Sequence, residues 1–161
     1  MNQLEIIDLL NHLQIKYRFM EHPPANTVEE IDSLGLPDAD AIVKNLFLRD
    51  DKKKNYYLLV ARKDRTINLK ELSGLLGSRP LSFASEEDLF RFLQLKKGSV
   101  TPFGILNDAK RQVHVLIDSD VMAFRLVAIH PNENTATVWL SPSDLKEIIE
   151  NHGNAVDILK I

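Results

Sequence analysis

The sequence predicts one mixed α/β (α+β) domain with about six or seven strands flanked by helices. Three observations support this prediction. The 161 residues are 44% hydrophobic, which is enough to bury a core of their own. Strand-length apolar runs and helix-length amphipathic segments follow one another without a repeat, a low-complexity tract or a linker. The strand runs come in adjacent, hairpin-like pairs, which argues against a doubly wound parallel sheet.

The first half of the chain begins with an amphipathic helix over residues 4–13, where apolar side chains recur at helical spacing. A short strand at Tyr17–Glu21 follows, and Asn26 or Thr27 can cap a short helix that runs to Leu34. Two nearly continuous apolar runs then flank the polar turn DDKKKN, a pattern typical of central strands covered on both faces. These two strands are predicted at Ala41–Arg49 and Tyr56–Arg62.

Capping residues mark the helices of the second half. Asn68 with Glu71, and Ser85 with Asp88, are capping-box patterns that open two helices, and Gly77 ends the first of them. The segment KKGSVTPFGILND that follows has no clean period, and an irregular segment of this length within a compact domain is usually functional or disordered. Its apolar content favours a functional loop.

Further strands and a last helix complete the prediction. Ser141 caps the final helix, Gly153 ends it, and the apolar residues 155–161 are a candidate edge strand. The predicted strands of this region are Val113–Asp118, Arg125–His130 and Thr135–Leu140.

Composition excludes several classes of protein. The formal net charge is −3, whereas proteins that bind nucleic acid by bulk electrostatics are usually basic, so only a local basic groove is expected. The absence of cysteine excludes disulfides, thiolate metal sites and cysteine nucleophiles. The N-terminus lacks the pattern of a signal peptide, and no segment has the roughly 18 consecutive apolar residues that cross a bilayer. We therefore expect a soluble, cytoplasmic protein.

Common enzyme signatures are absent from the chain. It contains no P-loop, no dinucleotide-binding fingerprint, no Gly-x-Ser-x-Gly elbow and no His-Glu-x-x-His motif. Its five histidines are scattered without metal-ligand spacing. No metal or other cofactor is expected.

The strand AIVKNLFL at residues 41–48 is interrupted at its centre by Lys44 and Asn45. Side chains alternate along a strand, so Lys44 shares a face with Leu46 and Asn45 shares the opposite face with Phe47. Neither face is an obvious solvent face, and burying an unpaired ammonium costs on the order of several kcal/mol. Two interpretations stay open: the strand lines a cleft where Lys44 meets an anion, or it is an edge strand whose lysine reaches water.

Two other features are candidates for a site, although each has a structural explanation of equal weight. His130 closes an apolar strand before Pro131 and by alternation faces inward. The second feature is a loop between a glycine and a proline, which can present main-chain groups to a small polar ligand because glycine permits close approach and proline holds the exit rigid. The residues of this loop are Gly98, Ser99, Val100, Thr101 and Pro102.

Four motifs, in this order along the chain, favour a functional site over the structural explanations: KNLFLRD at 44–50, GSRPLSFAS at 77–85, GSVTPFGILND at 98–108 and HPNENTATVWLS at 130–141. Together they resemble the YbaK/prolyl-tRNA synthetase editing-domain family, and within it the free-standing alanyl-tRNA(Pro) deacylases. The resemblance covers nearly the whole chain. It implies one editing domain over residues 1–161, with a curved, mixed and partly barrel-like sheet.

The resemblance also implies roles for the candidate residues. Lys44 matches the family's lysine, which contacts the phosphate backbone at the acceptor end of the tRNA. Asn45 and His130 match residues of the alanine-specific subgroup, with His130 in the substrate pocket, and Lys44 and His130 are the implied catalytic positions. The loop of residues 98–102 matches the segment that surrounds the aminoacyl ester and its amine. The pair Asn45 and His130 favours alanine over cysteine as the amino acid removed.

The implied function is trans-editing, in which the ester of mischarged alanyl-tRNA(Pro) is hydrolysed without a covalent nucleophile or a metal. The implied partner is the acceptor end of tRNA(Pro), prolyl-tRNA synthetase is an open second partner, and neither DNA nor a membrane is expected. The pocket should be small and apolar-walled, so that it admits alanine and excludes proline. The alternatives are a cysteinyl-tRNA(Pro) deacylase of the sister subgroup and a non-catalytic module of the same fold that binds tRNA or the synthetase. Without the resemblance, the residues indicate a small-molecule binder with a phosphate-seeking lysine.

Overall fold

The computed structural model describes all 161 residues as eight strands and six helices. The helices are α1 (Gln3–His12), α2 (Val28–Ser33), α3 (Leu69–Leu76), α4 (Glu86–Leu93), α5 (Ser119–Met122) and α6 (Pro142–His152). The strands are β1 (Tyr17–Glu21), β2 (Val43–Asp50), β3 (Tyr56–Arg62), β4 (Leu81–Phe83), β5 (Val113–Asp118), β6 (Val127–Ile129), β7 (Ala136–Leu140) and β8 (Val156–Leu159). None of the helices is both long and apolar enough to cross a membrane.

The strands form two sheets. The larger has the order β4-β2-β3-β5-β8, with β2 antiparallel to β3 and β4, and with β5 parallel to β3 and β8. The smaller is antiparallel, with the order β1-β7-β6. One isolated parallel bridge, between Ile42 and Ala128, connects them. The predicted mixed α/β domain is confirmed, but it has eight strands in two sheets rather than six or seven in one.

The differences from the predicted elements have local causes. Strand β4 has only three residues, and α5 has only four, so neither shows a full period in the sequence. The segment before β2 folds into a short 3₁₀ turn at Ala39–Ala41, which delays the strand to Val43. The irregular loop contains a second 3₁₀ segment, Pro102–Asn107, which its proline opens.

Side-chain alternation on β2 follows the predicted pattern. Val43 and Phe47 belong to a cluster of 23 buried residues that α1, α4 and α6 help to enclose. Leu48 points to the opposite face, where it packs with Leu72 of α3 in a second cluster of five buried residues. Leu46 lies against this second cluster. The core is therefore divided by the large sheet into two layers.

The edge of β2 that faces β4 and β6 is only partly paired. Strand β4 pairs with residues 48–50, Ala84 donates its N–H to the carbonyl of Phe47 at 2.9 Å, and the bridge to the small sheet is at Ile42. Between these points, residues 43–46 have no strand partner on this edge. We call this segment the free edge of β2.

The hairpin between β2 and β3 offers a test of what holds this strand in place. Asp50 is 1% exposed, and its carboxylate accepts hydrogen bonds from the Lys54 N–H at 2.9 Å and the Asn55 side-chain amide at 2.7 Å. Burial alone would raise the pKa of Asp50, but these hydrogen bonds outweigh it and the pKa is lowered. The stabilisation that ionised Asp50 provides is therefore fully present at pH values above the ordinary carboxyl pKa. It is lost as the pH falls through the lowered pKa of the folded state.

We expect Asp50→Ala to reduce the free energy of unfolding by about 1–3 kcal/mol, because it removes the buried carboxylate that accepts both hydrogen bonds. Urea denaturation at neutral pH measures the loss. The control is Asp51→Ala, which removes an exposed carboxylate paired with Arg79 and should cost much less, because exposed ion pairs contribute little to stability. Equal losses in the two variants would show that the Asp50 contacts do not stabilise the hairpin.

Candidate active site

A pocket of about 620 Å³ lies at the free edge of β2. It is lined by 22 residues, of which 12 are hydrophobic. One wall comes from residues 42–47, a second from residues 83–86 at the end of β4, and a third from residues 128–130 at the end of β6. The break in strand pairing and the pocket are thus the same feature. We call it the edge pocket.

The edge pocket collects five of the residues that the sequence singled out: Lys44, Asn45, Gly98, Val100 and His130. Ser99, Thr101 and Pro102 lie outside its wall. Thr101 is fully buried and donates its hydroxyl to the carbonyl oxygen of His130 at 2.6 Å, and Pro102 is buried at the start of the 3₁₀ segment. The loop therefore contributes fewer groups to the pocket than the sequence suggested, and Thr101 ties it to His130.

Lys44 is half-buried and carries no ion pair. Its ammonium donates to the main-chain carbonyl of Arg65, a neutral acceptor. The carboxylates of Asp118 and Asp120 both pair with the side chain of Arg65, and neither forms an ion pair with Lys44. An ammonium has three donors, so Lys44 keeps both its charge and further donors for an anion.

Asn45 exposes its main chain to the edge pocket. The N–H and C=O of one residue in a strand point to the same edge and alternate along the chain, so Asn45 faces the same edge as Phe47, whose carbonyl reaches Ala84. The side-chain Oδ1 of Asn45 is also buried and contacts no hydrogen-bond donor. An unsatisfied buried acceptor costs about 1–3 kcal/mol, which a donor group on a ligand would recover.

His130 is held as a neutral ring with a defined tautomer. It is 8% exposed, and its Nδ1 lies 2.8 Å from the carbonyl oxygen of Ala136. A carbonyl only accepts, so Nδ1 carries the proton and Nε2 of the neutral ring keeps its lone pair. Burial lowers the pKa of His130 below 6.5; the Ala136 carbonyl opposes this shift, and the charge of nearby His22 adds to it.

Thr137 completes the polar wall, and His22 contacts it without lining the pocket itself; sequence reasoning missed both residues. The two histidine rings are 6.0 Å apart, and His22 Nε2 lies 2.8 Å from the Thr137 hydroxyl. Because His22 Nδ1 donates to the Pro23 carbonyl at 2.8 Å, the neutral ring accepts the Thr137 proton, which leaves the hydroxyl oxygen as an acceptor. The available signal was the β6–β7 hairpin, whose register of Ile129 opposite Val138 places Thr137 beside His130.

Gly98 is at a position that requires glycine. Its φ is +83°, and a Cβ at this position would lie 2.9 Å from the Cβ of Asn26. The Asn26 side chain in turn accepts a hydrogen bond from Asn134 at 2.7 Å. The loop is therefore seated closely against the segment that precedes α2, on the rim of the edge pocket.

Comparison with known proteins identifies the family. The family model described as "Aminoacyl-tRNA editing domain" matches residues 22–148. The chain belongs to the aminoacyl-tRNA editing domain family. This finding confirms the family assignment that the four sequence motifs predicted.

Several members of this family are similar to the chain over nearly its whole length. "Prolyl-tRNA editing protein ProX" of Acetoanaerobium sticklandii is 46% identical over 156 residues, covering 97% of this chain and 95% of the relative. "Prolyl-tRNA synthetase associated domain-containing protein 1" of Mus musculus is 36% identical over 159 residues, covering 96% and 94%. The crystal structure of hypothetical protein APE2540 has a TM-score of 0.72 at 20% identity, covering 96% and 97%, which shows a shared fold.

We expect His130 to remain neutral at pH 7 and to titrate with a midpoint below 6.5, because its site is buried. The unfolded chain takes up the proton first as the pH falls, so stability decreases between 6.5 and the folded-state pKa. Long-range ¹H–¹⁵N NMR measures the midpoint and should show an unprotonated Nε2.

His22→Gln provides the matched variant for this titration. It removes the charge that lowers the pKa of His130, so the midpoint should rise towards the ordinary value. A wild-type midpoint above 6.5, or a proton on Nε2 at pH 7, would contradict this description of the site.

Proposed function

We propose that this chain is a trans-editing aminoacyl-tRNA deacylase of the cytoplasm, in which residues 1–161 act as one editing domain. Its proposed substrate is mischarged alanyl-tRNA(Pro). The relatives named for prolyl-tRNA editing support the choice of tRNA. The observation that supports the proposal best is that one pocket collects residues from three distant motifs: Lys44, Asn45, Gly98, Val100 and His130.

The proposed reaction is simple hydrolysis. Water attacks the carbonyl carbon of the alanyl ester, the bond from this carbon to the terminal ribose oxygen breaks, and that oxygen takes up a proton. The products are alanine and uncharged tRNA. The neighbouring ammonium already activates the ester, so positioning of water and stabilisation of the developing oxyanion can supply several kcal/mol of catalysis. The ribose 2′-hydroxyl is a suitable group to help deliver the water.

Lys44 is the proposed anchor for a phosphate of the acceptor end. It is a cation without a carboxylate partner on the wall of a concave site, which is the arrangement that a phosphate needs. A negative net charge elsewhere on the chain limits non-specific attraction of RNA. Capture therefore depends on this local contact, and prolyl-tRNA synthetase is a proposed second partner that delivers the tRNA.

The remaining polar groups suit the ammonium and the carbonyl oxygen of an aminoacyl ester. Three acceptors on residues that line the pocket have no donor of their own: Asn45 Oδ1, His130 Nε2 and the Thr137 hydroxyl oxygen. We assign them to the substrate ammonium, which has three N–H donors. The main-chain N–H of Asn45 on the free edge is the proposed donor to the oxyanion.

Selection by size explains why such a site is needed. A synthetase pocket built for proline rejects the smaller alanine by only about 1–3 kcal/mol, since it lacks little more than methylene contacts. A second site that admits alanine and excludes proline restores accuracy. Ile42, Ala128 and Ile129 provide apolar wall beside the polar groups. The complete pocket is larger than an alanyl group requires, so the sieve must be the part of it between β2 and β6.

The test is a panel of purified alanyl-, cysteinyl- and prolyl-tRNA(Pro). We expect rapid loss of the alanine ester alone, measured by the release of labelled amino acid over the rate without protein. Preferential release of cysteine would assign the chain to the sister subgroup. Equal persistence of all three esters, with binding retained, would identify a non-catalytic tRNA-binding module and overturn the proposal.

The phosphate contact is tested by Lys44→Ala. Hydrogen bonds to charged groups contribute about 1.5–3 kcal/mol, so kcat/KM for alanyl-tRNA(Pro) should fall by about tenfold or more. Thermal melting should show that the variant remains folded, because the lost contact is a single hydrogen bond to a carbonyl. Lys70→Ala removes an exposed lysine on α3 and is the matched control. Unimpaired turnover by Lys44→Ala would rule out the anchor.

A further inference from the structure

The GSRPLSFAS segment supplies an exposed aromatic side chain that the proposed chemistry leaves unused. Phe83, the last residue of β4, is 60% exposed and lines the edge pocket. It belongs to none of the three hydrophobic clusters of the core. Its ring also pairs with no other aromatic ring or cation of the chain. One face of an aromatic ring is therefore presented at the mouth of the site.

The register of β4 places Phe83 on the same face of the sheet as Lys44. Phe83 lies directly opposite Leu48 in the antiparallel pair, and opposite residues share a face. Lys44, Leu46 and Leu48 alternate onto this face along β2. A cation, an aliphatic side chain and an exposed aromatic ring thus follow one another along one wall of the edge pocket.

The pocket has room for an occupant larger than alanine. Pockets of about 300–1,000 Å³ bury ligands of drug size, and the edge pocket, at about 620 Å³, is within this range. An alanyl ester on the terminal adenosine has an amino acid, a ribose, a phosphate and a base to place. With the phosphate at Lys44 and the ester beside Asn45 and His130, Phe83 is the exposed aromatic side chain of the wall that is free to meet the base.

We propose that Phe83 stacks on the adenine base at the 3′ end of the tRNA and so positions the ester in the pocket. This inference rests on the proposed function, because it assigns a further part of the same substrate to the same site. Stacking is tolerant of base identity and depends on the ring surface, so Phe83 acts as a positioning residue for any tRNA with this end. Amino-acid selection stays with the wall between β2 and β6.

Stacking on the base stabilises the bound substrate and the transition state equally. Its loss should therefore raise KM and leave kcat nearly unchanged. We expect Phe83→Ala to raise KM for alanyl-tRNA(Pro) about tenfold, which is within the range measured for removal of base-stacking aromatics. Phe83→Trp should retain the wild-type KM because it preserves a ring surface. Phe90→Ala is the matched control, since Phe90 is 62% exposed on α4 but does not line the pocket.

A substrate lacking the terminal base separates stacking from a structural role. On an acceptor-stem RNA whose last nucleotide is an abasic ribose bearing alanine, wild type and Phe83→Ala should have the same KM. Binding of the matching uncharged RNAs, measured by fluorescence titration, repeats the comparison without hydrolysis. The proposal is supported if Phe83→Ala binds the complete RNA more weakly than wild type does but binds the abasic RNA equally well.

Two results would overturn it. One is an unchanged KM in Phe83→Ala. The other is a loss that persists in full on the abasic RNA, which would mean that Phe83 shapes the pocket and does not contact the base. A wild-type protein that binds the RNA but leaves the ester intact would refute the deacylase function, while the binding comparison would still decide the role of Phe83.

Discussion

The structure depends on one constraint, the interrupted pairing of β2. This strand pairs along its whole length with β3, yet on its other edge it is met by β6 at one end and β4 at the other. A continuous partner there would complete the ladder and remove the pocket. The gap keeps main-chain groups available, and it sets Lys44 and Asn45, which interrupt an apolar run, beside a concave surface.

A second property of the site is its unequal supply of donors and acceptors. The histidine, threonine and asparagine side chains of the wall all offer lone pairs, and those of His130 and Thr137 are oriented by the Ala136 carbonyl and by His22. Positive charge is provided separately by Lys44, whose ammonium contacts a main-chain carbonyl and forms no ion pair. A ligand that fits has a cationic, donor-rich end and an anionic end. An aminoacylated nucleotide has both.

Local patterns in the sequence were sufficient for most of the fold. Alternation and flanking turns predicted β1, β3 and β5 at their observed limits, and capping residues predicted the starts of α2, α3, α4 and α6, because these signals act within a few residues. The division into two sheets was not predictable, since it depends on which distant strands pair. The same distinction between local patterns and distant strand pairing applies to the residues of the site. Lys44 and His130 were found as polar residues in apolar strands, whereas Thr137 and Phe83 become neighbours of the site only through the registers of β7 and β4.

The free edge of β2 also bears on how the protein avoids self-association. A row of unpaired strand groups is a template on which a second polypeptide can add, and proteins guard such rows with charge, short length or cover. Here the row spans only four residues, lies in a recess between flanking strands, and has a lysine at its centre. An extended chain cannot enter without desolvating that charge. A compact solute avoids this cost, so the recess limits the addition of a strand while it leaves room for a small ligand.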